Sequence, residues 1–140
     1  MVKMKLELQN KIFKRFPKFF ANKDLDMTQT CMVWGLECGG GWYQLIWDTC
    51  EKIENYLKDN PLDYEFRFDQ VKSKFAGLRM YHNGNDAIYA ITDEAERLSV
   101  KICEECGKPG KVIGGSWIYT MCEECANKNG ILFESPSEDF

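Results

Sequence analysis

The chain has 140 residues, of which 44% are hydrophobic and 29% charged, with a formal net charge of -4 at pH 7. These values are typical of one globular domain with a small appended module, and they exclude a disordered chain and two full-sized domains. The N-terminus has lysines and a glutamate where a signal peptide needs an apolar run, and no stretch approaches the roughly 18 apolar residues of a membrane span. We therefore expect a cytoplasmic protein with no membrane partner.

The charge is distributed unevenly along the chain. Residues 1–23 carry a formal charge of +6, which leaves -10 for the remainder. A basic leading segment on an acidic body can bind an anionic partner, but the solvated face of a surface helix has the same composition.

The first half of the chain predicts two helices and a strand. Apolar residues at helical intervals predict a helix over about residues 3–16, ended by Pro17. Residues 30–37, TCMVWGLE, have the β-branched and aromatic character of a strand. After a glycine run, residues 42–59 carry one apolar stripe that ends before Pro61, which predicts the second helix.

The second half predicts a strand pair and a third helix. Apolar and polar residues alternate in two segments, Tyr64 to Phe68 and Leu78 to Tyr81, which predicts two strands joined around residues 72–77. A turn at residues 83–86 precedes an apolar helical pattern that runs to the first cysteine pair. We expect the last residues of the acidic tail, 131–140, to be loose.

Two Cys-x-x-Cys pairs, Cys103 with Cys106 and Cys122 with Cys125, are separated by 15 residues. This spacing is typical of a four-cysteine zinc site, in which each pair supplies two thiolates from one tight turn. The spacer reads as a hairpin with Gly114-Gly115 at its turn, and the second pair leads into a short helix. The order is a tight turn with two cysteines, called a knuckle here, then a hairpin, then a helix. This order resembles a treble-clef finger with one structural Zn²⁺.

Other roles for the four cysteines fit the pattern less well. A thioredoxin-like redox site needs a single pair at a helix start, and a catalytic zinc keeps one position open for water. Because zinc binding at such a site is folding free energy, metal removal should unfold at least residues 103–130. Of the remaining cysteines we expect Cys50, and with it Cys31 and Cys38, to be inert core thiols in a reducing compartment.

His82 is the only histidine, so any histidine-based acid-base pair must use it. Its place at the end of a strand predicts an exposed side chain without a catalytic role. No Walker-type loop and no Gly-x-Gly-x-x-Gly occurs in the chain. We therefore expect a protein that is not an enzyme.

Two segments are candidates for a binding surface. Glycines before a helix can offer free backbone amides to an anion, and lysines and arginine interleaved with aromatics can hold phosphate and stack a planar ligand. An edge strand that is protected by lysines, with its aromatics packed inward, gives the second pattern equally well. The candidate residues are Gly39, Gly40, Gly41, Trp42, Lys72, Lys74, Arg79 and Tyr81.

Four strings occur in the order ECGGGWYQLIWDTCEKIE, QVKSKFAGLRMY, AERLSVKICEECGKPG and SWIYTMCEECA. Together they resemble a group of small, largely uncharacterised zinc-finger proteins of bacteriophages and bacteria, over about residues 34–126. The shared features are a GW-x-x-L helix, a QVK-x-KF-x-GLR-x-Y segment and a C-terminal CxxC…CxxC module, with Ala76 where glycine is expected. The family has no established activity, so the resemblance implies a context and no mechanism.

In that context we expect a binding protein that inhibits or redirects a host macromolecule, such as a defence component, with a host protein as partner. The acidic body suits a basic partner. Two alternatives remain open: a nucleic-acid-binding or regulatory role, against which the overall acidity counts, and a pocket that sequesters a small nucleotide signal.

The predicted architecture is α+β, with about three helices on a small, mainly antiparallel sheet. Residues 1–102 form the body, residues 103–130 the zinc module docked on it, and residues 131–140 the tail.

Overall fold

The computed structural model describes residues 3–24 and 31–136. Its four helices are α1 (Leu6–Arg15), α2 (Tyr43–Asp59), α3 (Asp86–Ser99) and α4 (Glu123–Lys128). Its five strands are β1 (Leu36–Glu37), β2 (Phe68–Lys74), β3 (Gly77–His82), β4 (Lys111–Gly114) and β5 (Ile118–Met121). The predicted α+β class and the three body helices are confirmed.

The body has one three-stranded sheet in the order β1-β2-β3. Strands β2 and β3 are antiparallel and joined by a tight turn, whereas β1 runs parallel to β2 with Leu36 opposite Val71. The second sheet is the antiparallel pair β4-β5, in which Gly114 lies opposite Ile118. The turn predicted between these two strands is therefore confirmed.

The core of the body is rich in aromatic side chains from elements that are distant in sequence. The ring of Phe20 stacks on that of Phe68 with centroids 5.0 Å apart, and Phe19 meets Phe66 edge to face at 5.1 Å. Trp47 on α2 packs edge to face on Phe16. Burial of these large rings stabilises the packing of the N-terminal segment and α2 against the sheet.

Gln9 on α1 joins the N-terminal segment to the sheet. Its side chain is buried, its Nε2 donates to the carbonyl of Met4, and its Oε1 accepts from the amide of Leu36. The amide of Leu36, at the start of β1, is a buried donor that would cost free energy if it had no acceptor. The side chain of Gln9 supplies that acceptor.

The sequence prediction for residues 30–37 is corrected. A 3₁₀ helix (Cys31–Trp34) occupies most of this segment, and only Leu36 and Glu37 form a strand. Gly35 between them has φ +73°, a left-handed conformation that interrupts an extended chain. Thr30 and the side chain of Cys31 lie outside the described residues.

The boundaries predicted for the strand pair are also corrected. Strand β2 begins at Phe68 and continues through the polar residues 72–74, which the sequence analysis had placed in the connection. The connection itself has only two residues, Phe75 and Ala76. The predicted alternation from Tyr64 to Arg67 lies outside β2.

None of the helices within residues 3–24 and 31–136 has the length and apolar character needed to cross a membrane. The predicted loose end of the tail, residues 137–140, lies outside the described part of the chain.

Candidate functional site

The four cysteines of the two pairs converge in space. Cys103 and Cys106 come from the knuckle after α3, Cys122 immediately precedes α4, and Cys125 lies within α4. The four sulfur atoms all lie within 4.8 Å of one another, and Cys106 Sγ is 3.6 Å from Cys122 Sγ. This is a set of four sulfur ligands that can hold one metal ion.

Backbone hydrogen bonds fix the local conformation around two of these cysteines. Gly107 has φ +83° and donates its amide to the carbonyl of Cys103, which closes the first knuckle. The Sγ of Cys122 caps α4 by accepting from the amide of Cys125 at 3.4 Å. This hydrogen bond lowers the pKa of the Cys122 thiol to about 7, and so favours the thiolate that a metal requires.

Glu104, between the first two cysteines, connects the metal centre to the body. Its side chain is only 3% exposed. Its Oε2 accepts from the amide of Gly39 at 2.9 Å, and its Oε1 accepts from the hydroxyl of Ser73 at 3.0 Å. Burial raises the pKa of this carboxyl, and the hydrogen bonds from Gly39 and Ser73 oppose the rise.

The glycine run is packed against this knuckle, which corrects its predicted role as a loop with free amides. Gly39 donates to the Glu104 carboxylate, and Gly41 donates to the Glu104 carbonyl at 2.7 Å. A Cβ on Gly41 would lie 2.0 Å from the carbonyl oxygen of Cys103. Trp42 is fully buried, and its indole N–H donates to the carbonyl of Ile102. The amides of Gly39 and Gly41 thus bind an internal carboxylate and carbonyl.

The turn between β2 and β3 contains two residues in the left-handed region. Phe75 has φ +51° and Ala76 has φ +67°, as a type I′ turn requires and as Asn-Gly would adopt more easily. A bulky residue with positive φ is uncommon. The Ala76 carbonyl accepts a hydrogen bond of 2.6 Å from the hydroxyl of Thr120 on β5, which holds the turn against the β4-β5 hairpin.

A cleft of about 480 Å³ lies between this turn and the β4-β5 hairpin. Phe75 lines it from the turn and Trp117 from the hairpin, and their side chains are 74% and 72% exposed. The lysine pair Lys72 and Lys74 comes from β2, and the Nζ of Lys74 is 5.6 Å from the centroid of the Phe75 ring. The lining residues are Lys72, Ser73, Lys74, Phe75, Ala76, Glu104, Ser116, Trp117, Ile118 and Tyr119.

The four strand residues that the sequence predicted as one binding surface share one face of the β2-β3 pair, but only two of them line the cleft. Lys72 and Lys74 line the cleft, whereas Arg79 and Tyr81 are not among its lining residues. Arg79 lies opposite Lys72 in the strand register, and its Nη1 donates to the carbonyl of Leu78. Tyr81 lies one pair further from the turn, opposite Gln70.

His82 is buried, which corrects the prediction of an exposed side chain. It is 4% exposed, and the ring of Tyr89 stacks on it with centroids 3.9 Å apart. Its Nδ1 accepts from the amide of Gly84, so the proton is on Nε2, which lies 3.0 Å from Thr92 Oγ1 and donates to it. Burial lowers the pKa of His82 to about 4, and both ring nitrogens are therefore occupied in a neutral ring.

The basic N-terminal segment makes several internal contacts. Arg15 forms a two-pronged ion pair with Glu54 on α2, with both nitrogen-oxygen distances 2.8 Å. Lys3 donates its ammonium to the carbonyl of Trp34. Lys11 and Lys14 lie on exposed positions of α1, beside a shallow groove. Part of the positive charge therefore supports packing, as expected for the solvated face of a surface helix.

Two cysteines outside the metal centre are buried in the body. Cys38 is 3% exposed and Cys50 fully buried, and burial raises the pKa of both thiols. The predicted core position is confirmed for these two residues, and a raised pKa disfavours the reactive thiolate.

Two side chains of the cleft, Trp117 and Glu104, were not predicted from the sequence, whereas Phe75 belongs to the predicted segment of lysines, arginine and aromatics. Phe75 and Trp117 each adjoin a tight turn, in KFAG and GGSW, where an aromatic has little opportunity to pack inward; that position was the available signal. Glu104 lies between the two cysteines of a Cys-x-x-Cys pair, where the residue type can vary. The sequence alone therefore does not show that its side chain is buried.

Comparison of the chain with family models, with curated proteins and with solved structures gives no match.

Proposed function

We propose that the chain is a non-enzymatic binding protein, in which one structural zinc ion stabilises a hairpin that forms one wall of a ligand-binding cleft. The observation that carries this proposal is the position of Phe75 and Trp117. They are the two most exposed large aromatic side chains among the described residues, and both line one cleft. Exposed aromatics gathered in a concave site are typical of ligand binding.

Strain at the turn supports the same conclusion. A left-handed conformation costs an L-residue roughly 1–2 kcal/mol, and a bulky ring that is exposed recovers little of this cost by packing. Phe75 adopts this conformation with its ring exposed, at a position where asparagine or glycine would have a lower conformational cost. A ligand that stacks on the ring supplies the missing contact.

The chemistry and spacing of the four sulfurs support zinc as the metal. Four thiolates at about 2.3 Å from a tetrahedral zinc ion lie about 3.8 Å from one another. The distance of 3.6 Å between Cys106 Sγ and Cys122 Sγ is close to this value, and all pairs lie within 4.8 Å. Four cysteine ligands leave no open position for water, which favours a structural ion over a catalytic one.

The environment of His82 supports a non-enzymatic role. A general base must have a nitrogen within reach of a substrate proton. In the described structure one nitrogen of His82 accepts from a backbone amide and the other donates to Thr92. The one histidine thus supports the core.

The resemblance to phage and bacterial proteins extends the proposal to a biological setting. In this setting the chain acts in the cytoplasm of a host cell and binds a host component, such as a protein of a defence system. This extension rests on the four sequence strings and on the acidic charge of the body.

Fragment mapping by NMR tests the proposed site. The zinc-loaded, ¹⁵N-labelled chain is titrated with indole, adenine, inorganic phosphate and a short aromatic peptide, after elemental analysis has given about one zinc per chain. We expect at least one fragment to shift the amides of residues 72–76 and 116–119. Trp117→Ala should remove these shifts, and Trp34→Ala, at an exposed tryptophan outside the cleft, should keep them. Shifts elsewhere only, or none, would contradict the proposal.

A further inference from the structure

Three aromatic side chains of the cleft present planar apolar surfaces to a ligand from solvent. The indole of Trp117, the ring of Phe75 and the half-buried Tyr119 are its aromatic groups. Stacking on such rings is the sequence-independent way in which proteins hold nucleobases. The volume of about 480 Å³ lies within the roughly 300–1,000 Å³ of small-molecule sites.

Positive charge lies along one edge of the same cleft. Lys72 and Lys74 occupy alternate positions of β2, so both side chains leave the same face of the strand. Lys74 is exposed, and its ammonium lies beside the Phe75 ring. One ammonium beside an aromatic ring, with a second lysine on the same face of the strand, matches a ligand that has a planar group joined to a phosphate.

The cleft lining also includes the carboxylate of Glu104, which is hydrogen-bonded to Ser73 between the two lysines. A carboxylate has about four acceptor positions, and Gly39 and Ser73 use two of them. The remaining positions can accept from amino or imino N–H groups of a base.

We propose that the cleft binds a free nucleoside monophosphate, with its base stacked on Trp117 and Phe75 and its phosphate held by Lys72 and Lys74. This inference rests on the proposed function and names the ligand of the same cleft. A single nucleotide fits better than a long strand, because two lysines contact few phosphates and the chain has a net charge of -4.

The test is calorimetric titration of the full-length, zinc-loaded chain. The ligands are the four ribonucleoside 5′-monophosphates, the four nucleosides, inorganic phosphate and a ten-residue oligothymidylate. We expect at least one monophosphate to bind about tenfold or more tightly than its nucleoside and than inorganic phosphate, with a weak dependence on salt. The nucleoside should still bind measurably, because stacking does not need the phosphate.

Three variants and two matched controls assign the contacts. Trp117→Ala should weaken nucleotide and nucleoside about tenfold, whereas Trp34→Ala should change neither. Lys72→Gln combined with Lys74→Gln should abolish the advantage of nucleotide over nucleoside, and Lys52→Gln on the exposed face of α2 should leave it intact. Phe75→Asn should also weaken binding, and because asparagine tolerates positive φ, it should do so with undiminished thermal stability.

The possible outcomes distinguish failure of the nucleotide assignment from failure of the proposed ligand-binding cleft. If fragments map to the cleft and no monophosphate binds at millimolar concentration, the nucleotide assignment is overturned and the cleft remains. Nucleotide binding that Trp117→Ala does not weaken overturns it as well. Oligothymidylate that binds more tightly than every monophosphate, with a steep loss in salt, replaces the free nucleotide by a nucleic-acid strand.

Discussion

At the scale of single residues, His82 is a side chain that the fold keeps neutral. Its ring lies among Phe66, Phe68 and Tyr89, and its nitrogens are matched to one donor and one acceptor. Protonation would place a second donor against the amide of Gly84 and a charge among aromatic rings. Folding therefore opposes the charged form.

This predicts a loss of stability in acid with a defined pH window. The pKa of His82 is about 4 in the folded chain and 6.5 ordinarily, so between these values only the unfolded state binds the proton. The contribution of His82 is present in full above pH 6.5 and is lost as the pH falls towards 4, by about 1–3 kcal/mol. Urea unfolding at several pH values, with NMR titration of the ring, measures it.

His82→Gln is the control for this prediction. Acid also protonates the cysteine thiolates and releases a metal, so the relevant quantity is the difference between the parent chain and the variant at each pH. That difference should change between pH 6.5 and 4. A ring that titrates near its ordinary pKa of 6.5 would show that burial does not shift it.

The sequence located His82 correctly at the end of a strand but could not show that it is covered. The covering ring belongs to Tyr89 at the start of α3, whose hydroxyl donates to the His82 carbonyl. A pattern along one strand reports which side chains alternate. It does not report what a later helix places over the end of that strand.

At the scale of elements, the contact between the glycine run and the cysteine knuckle joins the body and the four-cysteine module. Gly39 and Gly41 approach the backbone of Cys103 and Glu104 so closely that a Cβ at either position would overlap it. Gly40 between them is different, since its Cβ would meet only Leu8 Cδ1 at 3.6 Å. Adjacent glycines thus have different structural roles.

We expect Gly41→Ala to separate the knuckle from the body and Gly40→Ala to have little effect. A methyl group 2.0 Å from a backbone oxygen forces one of the two segments to move, which should cost several kcal/mol. Gly40→Ala should change the free energy of unfolding by less than about 1 kcal/mol. Chemical denaturation and retention of zinc against a competing chelator measure both effects. Equal losses in the two variants would refute the role given to Gly41.

The sequence predicted those elements whose pattern is local. Helix α2 has a long apolar stripe, and the β4-β5 hairpin has glycines at its turn; both form as expected. Strand β1 depends instead on pairing with Val71, about 35 residues away, and on the turn at Gly35. The polar end of β2 has no hydrophobic alternation because its outward side chains line an open cleft.

At the scale of the whole molecule, the metal centre and the body share one hydrogen-bond network. Glu104 bonds Gly39 and Ser73 through its side chain, and its amide donates to the carbonyl of Thr120. The hydroxyl of Thr120 in turn donates to Ala76 at the strand turn. These hydrogen bonds therefore connect the cysteine knuckle to both walls of the cleft.

Metal removal should unfold the module and open the cleft while part of the body stays folded. Hydrogen exchange with and without a chelator should show loss of protection in β4, β5 and α4, and at the amides of Gly39 and Gly41. Helix α2 should keep its protection, since its buried face packs within the body. Cys106→Ser should reproduce the effect without a chelator. Uniform protection after metal loss would show that the module folds without zinc.

The architecture was predictable as a class, and the cleft was not. The two cysteine pairs and the helical stripes indicated an α+β body with a four-cysteine module, which the structure confirms. The cleft combines Phe75 with Trp117, residues from two hairpins of different sheets. Their proximity depends on the hydrogen bonds of Thr120 and Glu104, which no local pattern encodes.

The buried carboxylate of Glu104 limits how far the four-cysteine module can be exchanged between proteins. A finger with the same cysteine spacing but another residue at position 104 could still hold its metal. Grafted here, it would leave the Ser73 hydroxyl and the Gly39 amide without their acceptor. The four cysteines are thus the transferable part of the module, and the residue between the first two makes it specific to this body.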